Sequence, residues 1–166
     1  MARTQITGAA VGAFAAAALA ACSPVATPAA DSAKDVAAVK ALENQAAVAA
    51  NAHQNAKFGA LYAGDGVVYF AGAQPAIGPD AITRSMAPFN VDKAYNFKIV
   101  IDRVEVAKSG DIAYAVWHYD QASTDPKTRA VVHELGNGID TLRKGADGTW
   151  KFVVSMDGPG APPTKP

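Results

Sequence analysis

Two long alternating segments near the C-terminus, joined by a glycine-containing turn, constrain the fold most. Val131–Arg143 and Thr149–Met156 read as strands, and Lys144-Gly145-Ala146-Asp147-Gly148 as the connection of a hairpin. In the second strand Trp150, Phe152 and Val154 alternate with Lys151, Val153 and Ser155. Successive side chains of a strand point to opposite faces, so this period of two suits a strand with one face on a core. In the first strand Val131, His133, Leu135, Asn137, Ile139 and Thr141 share a face if no bulge intervenes. That reading sets His133 and Asn137 among apolar neighbours, facing a pocket. A bulge at Gly136 or Gly138 would invert the face and turn Asp140 inward instead.

The segments before the hairpin supply helices first and strands afterwards. From Asp35 to His53, apolar residues recur at three and four (Val36, Val39, Leu42, Ala46, Ala49), with Lys40, Glu43 and Asn44 read as lying off the stripe. A second helix is expected from Gln54 to Tyr62, broken by Gly64-Asp65-Gly66, and a short strand over Val67–Phe70. Ala71–Pro79 reads as a loop, and Ala81–Met86 as a third helix stopped by Pro88. Phe97–Val106 changes phase near Asp102–Arg103, which predicts a bulge there. Ile112–Gln121 is apolar on both faces: Ala113, Ala115, Trp117 and Tyr119 on one, Ile112, Tyr114, Val116 and His118 on the other. Something is expected to cover each face. Helices followed by antiparallel strands make an α+β domain over residues 35–157, with a Pro/Gly-rich tail at 158–166.

The N-terminus reads as an export signal. Arg3 precedes an apolar stretch from Ile6 to Ala20, the length of a signal core and too short to span a bilayer stably. Leu19-Ala20-Ala21-Cys22 resembles a bacterial lipobox, in which the cysteine is lipidated and becomes the first mature residue. Cys22 is the only cysteine, so it has no internal disulfide partner. Residues 1–21 are then a signal peptide and 22–34 a flexible tether. Ser23 after the cysteine points to the outer membrane of the envelope rather than the inner. Ordinary secretion after Ala18-Leu19-Ala20 is the alternative. Fifteen basic residues balance fifteen acidic ones, and no Lys/Arg run is present to track phosphates, which argues against nucleic acid.

Four segments together resemble the nuclear transport factor two-like superfamily, in its SnoaL-like and ketosteroid-isomerase-like branch. They are Leu61-Tyr62-Ala63-Gly64-Asp65-Gly66-Val67-Val68, Gly78-Pro79-Asp80-Ala81-Ile82, Gly110-Asp111-Ile112-Ala113-Tyr114, and Asp147-Gly148-Thr149-Trp150-Lys151-Phe152-Val153-Val154. The resemblance implies a cone: a curved antiparallel sheet wrapped around N-terminal helices, with a pocket at the wide end and, in many members, dimers through the outer sheet face. It also implies where isomerase chemistry would sit. The carboxylate base of that branch falls at Phe70, which cannot take a proton. Its tyrosine donor lies on the first helix, whose inward stripe here is Ala, Val and Leu. Its second donor lies on a late strand, where Asn137 is the match.

The expected pocket is lined by Phe70, Met86, Trp117, Tyr119, His133 and Asn137, a few polar groups in an apolar cleft. Its expected occupant is a small, largely apolar molecule, and no cofactor is implied. The alternatives are an enzyme using His133, Asn137 and Tyr119 for acid–base chemistry, or a non-catalytic interaction module. A homodimer is expected through Tyr114, Val116 and His118. His118, Asp120, His133 and Glu134 match no recognised metal spacing.

Overall fold

The computed structural model describes residues 32–161. The expectations at Cys22, for the export signal and for most of the tether lie outside the described residues. Helix α1 spans Ser32–Asn51, rich in alanine, the strongest helix former. Its small side chains let it lie close against the sheet, with Val39, Leu42, Ala49 and Ala50 buried. The Asn51 side chain fixes the helix end by bonding both the N–H and the carbonyl of Phe97. Near the other end Asp35 is buried. It accepts from Trp150 Nε1 at 3.2 Å and pairs with Lys144 Nζ at 2.5 Å, tying α1 to the hairpin.

Six strands form one sheet in the order β2-β1-β6-β5-β4-β3. They are β1 (Tyr62–Tyr69), β2 (Ala76–Ile77), β3 (Asn96–Val106), β4 (Ile112–Thr124), β5 (Val131–Lys144) and β6 (Trp150–Pro159). The last four make an antiparallel meander, while β1 runs parallel to β6. The sheet is curved and unclosed, with the helices inside its curve, the α+β cone that the sequence resemblance implies. Phe152, Leu142, Ile82 and Val39 are the largest fully buried side chains. A break in the β3–β4 register lies between Ile101 and Arg103, where the phase change in the sequence falls.

Several elements differ from expectation. The second helix, α2, is shorter (Asn55–Ala60), and strand β1 starts at Tyr62, so Gly64-Asp65-Gly66 lies within a strand. The β1–β6 register shifts between Tyr62 and Val67, so an irregularity accommodates the two glycines. The expected loop 71–79 contains β2, an edge strand too short to show periodicity. Helix α3 is Pro79–Ser85, and Pro88 does not end the helical stretch but sits in the first turn of α4 (Ala87–Asn90), where its missing N–H is harmless. Strand β6 continues beyond Asp157 into Gly158 and Pro159.

Candidate functional site

The inward face of β5 is the opposite of the one expected. Residues directly opposite each other in an antiparallel pair share a face. Trp117 pairs with Gly138, Tyr119 with Gly136 and Ala115 with Asp140. Trp117 and Tyr119 point into the cone, so Gly136, Gly138 and Asp140 do too, and Leu135, Asn137 and Ile139 face out. The β4–β5 ladder carries no bulge, so the whole strand takes this phase. The two glycines make room for rings: a Cβ on Gly138 would overlap the Trp117 indole, and one on Gly136 the Tyr119 ring.

His133 and Asn137 therefore do not line the pocket. His133 is exposed and its Nδ1 lies 2.6 Å from Asp120 Oδ1. Asn137 is exposed and donates to the Ala161 carbonyl at 2.9 Å. His118 Nδ1 sits 2.9 Å from Asp102, also outside the cone. No group of His, Cys, Asp and Glu among the described residues is arranged to hold a metal ion.

Phe70, Met86, Trp117 and Tyr119 do line a cavity of about 260 Å³, between α1, the inner faces of β3 to β6 and the segment from Phe70 to Phe89. Its walls are mainly apolar and aromatic: Phe97 meets Trp117 edge-on at 5.9 Å between centroids, and Phe89 packs at a tilt against Tyr95 at 4.9 Å. Four acidic residues open onto it, Glu43, Glu134, Asp140 and Asp157, and no lysine, arginine or histidine of the described residues does.

Glu43 and Asp140 are the two that sequence reasoning misplaced or left as a contingency. Each is at most 3% exposed, and their carboxyls hydrogen-bond to each other. Burial first, and then the charge of Asp140, push Glu43 up to about 10, so it holds its proton at neutral pH. Burial also raises Asp140. Three groups work against that: Ser155, Glu43 and the Trp117 indole, which donates to Asp140 Oδ2 at 2.6 Å. The pair thus holds a proton on Glu43 at neutral pH. Tyr62 extends the network by donating to Ser155 Oγ at 3.0 Å.

Asp157 is half-buried on β6, on the same cavity wall. Burial, followed by the nearby charges of Asp140 and Glu134, raises it to about 7. Tyr119 donates to Glu134 Oε1 at 2.9 Å, and burial followed by that acceptor raises its phenol well above the usual value.

A signal for Glu43 was in the sequence. Val39, Leu42, Glu43, Ala46 and Ala50 recur at three and four, and the acid lies inside that stripe. Asp140 was signalled by the glycines two and four residues before it, which leave room for the rings of Trp117 and Tyr119 on the same face.

The SnoaL-like domain profile matches residues 42–153. The chain belongs to the SnoaL-like family. Solved structures with the same fold include a ketosteroid isomerase-like protein from Erwinia carotovora atroseptica, at 23% identity and a TM-score of 0.69, covering 78% of this chain and 98% of that one. A cystatin-fold protein of the same superfamily from Novosphingobium aromaticivorans matches at 18% identity and a TM-score of 0.63, covering 75% and 81%. A candidate scytalone dehydratase from Novosphingobium aromaticivorans matches at 17% and 0.68, covering 78% and 86%. No curated protein sequence matches the chain. The SnoaL-like family includes ligand-binding, isomerase and dehydratase members, so the fold leaves function to the site.

Proposed function

We propose that this SnoaL-like domain holds a small, largely apolar molecule in its cone, with the molecule's polar end against the Glu43–Asp140 pair. The observation that carries the reading is an apolar cavity of about 260 Å³ with two buried carboxyls in its wall. A few fixed polar groups in an apolar cleft orient a ligand without needing a large contact area. The Leu19-Ala20-Ala21-Cys22 box supports attachment of the domain to the bacterial envelope through lipid on Cys22.

One preparation tests both statements: the full chain, expressed in a bacterium that processes lipoproteins and purified from its membranes. Mass spectrometry of the organic extract should find a small apolar molecule at near one per chain. The Ala46→Phe variant, which fills the cavity, should lose it while keeping its thermal midpoint within a few degrees. An empty wild type, or equal retention by both, contradicts the binding reading. A mature N-terminus starting at Ala21 with unmodified Cys22 contradicts the anchor.

A second reading, proton-transfer chemistry on that molecule, is favoured by Asp157. A carboxyl near 7 is poised both to take and to return a proton at neutral pH, and protonated Glu43 is a donor on the same cavity. Phe70 supplies no base, so such chemistry would run from Asp157.

A further inference from the structure

We propose that the occupant of the cone is a small organic cation, an amine protonated at neutral pH carried on an apolar body. The inference rests on the reading that the cone is a binding site, and names the class of ligand it takes. Glu43 and Asp140 are buried carboxyls on the cavity wall, hydrogen-bonded to each other, and no basic side chain of the described residues is among their partners. With Glu134 and Asp157 they make four carboxyl groups on the wall of one apolar enclosure. A buried charge is normally matched by a counter-charge or a metal. Here no basic side chain of the described residues lines the cavity, and no grouping of ligands there suits a metal ion. Whatever negative charge these carboxyls carry is left for the ligand to match, and an ammonium brings N–H donors to their oxygens.

The other walls fit the same ligand. Phe70, Phe89, Tyr95, Phe97, Trp117 and Tyr119 present ring faces and edges to the cavity. Aromatic faces attract cations, most strongly when water is excluded. Glu134 and Asp157 add acceptors on the wall. A carboxylate ligand would meet acidic side chains and no basic one among the described residues, and a neutral ligand would match none of their charge.

Three probes of one shape separate the cases: 1-naphthylmethylamine, 1-naphthalenemethanol and 1-naphthoate, titrated calorimetrically into the folded domain at pH 7.5. The amine should bind at least about tenfold tighter than the alcohol, and the naphthoate should not bind. Amine affinity should rise from pH 6 to pH 8 as Asp157 ionises. The groups facing Asp157 are Asp140, Glu134 and the neutral phenols of Tyr62, Tyr95 and Tyr119, and none of them supplies a compensating positive charge. Asp157→Asn should narrow the amine-to-alcohol ratio and flatten that pH dependence. Equal binding of amine and alcohol would overturn the cation inference while leaving the cone a binding site. A preference for naphthoate would also overturn it. Binding of none of the three would overturn both readings.

Discussion

Gly138 shows how much of the site depends on a missing side chain. Its hydrogen leaves space for the Trp117 indole, and the indole in turn donates to Asp140. In Gly138→Ala the new methyl would push the ring out of place and leave a buried carboxylate short of a donor. Overpacking of this kind costs about 1–3 kcal/mol, and the lost bond to a charged acceptor adds to it. Urea unfolding should place the variant at least about 1 kcal/mol below wild type, and an unchanged midpoint would show that the ring has room. At this scale the sequence was only partly legible. Trp117 and Tyr119 announce themselves as inward rings. Glu43 reads as lying off the apolar stripe, although its spacing from Val39 and Ala46 puts it inside. His133 and Asn137 drew attention because their strand face was judged without the strand beside it. Pairing each residue with its cross-strand partner, ring against glycine, fixes the face that alternation alone leaves open.

Elements decide where charge collects. Strand β5 brings Asp140 and Glu134 inward, and its neighbour β6 sets Asp157 beside them by pairing Asp157 with Gly138. Burial first, and then the like charges of Asp140 and Glu134, raise Asp157 to about 7, above the roughly 3.9 of a free aspartate. The folded state therefore holds this proton where the unfolded chain has released it. The stability that proton lends is fully present below about pH 4 and is lost as the pH rises to about 7. Asp157→Asn removes the penalty at high pH. Its gain over wild type should be about 1–3 kcal/mol at pH 8, allowing for partial exposure, and should shrink towards zero near pH 4. Denaturant midpoints at pH 4, 5, 6 and 8 give the curve, and a gap independent of pH would contradict the burial argument. The long strands and first helix were legible because their periods are sustained. Two-residue β2, four-residue α4 and the glycine-bearing start of β1 were not, because each depends on neighbours rather than on its own pattern.

At the scale of the molecule, the sheet has a mainly apolar cavity studded with carboxyls on one side and an apolar skin on the other. Val100, Leu135, Ile139 and Met156 are each about half exposed on the strands that carry the cone. With Tyr114, Val116 and His118 they form the outward surface that we propose pairs two copies of the chain. Sedimentation should give a dimer for wild type and a monomer for Ile139→Lys, and a monomeric wild type would leave the surface without that role. The central claim, though, concerns the inside: that the cone carries a buried carboxyl pair in which Glu43 keeps its proton at neutral pH. The chain has only three glutamates, Glu43, Glu105 and Glu134, so carboxyl-labelled glutamate gives three resonances by carbon NMR, with Glu43→Gln assigning one of them. A pH titration of the folded protein reads them directly. The Glu43 carboxyl should remain protonated through pH 8 and titrate near 10. A Glu43 resonance that titrates in the ordinary range near 4.5 would contradict the account.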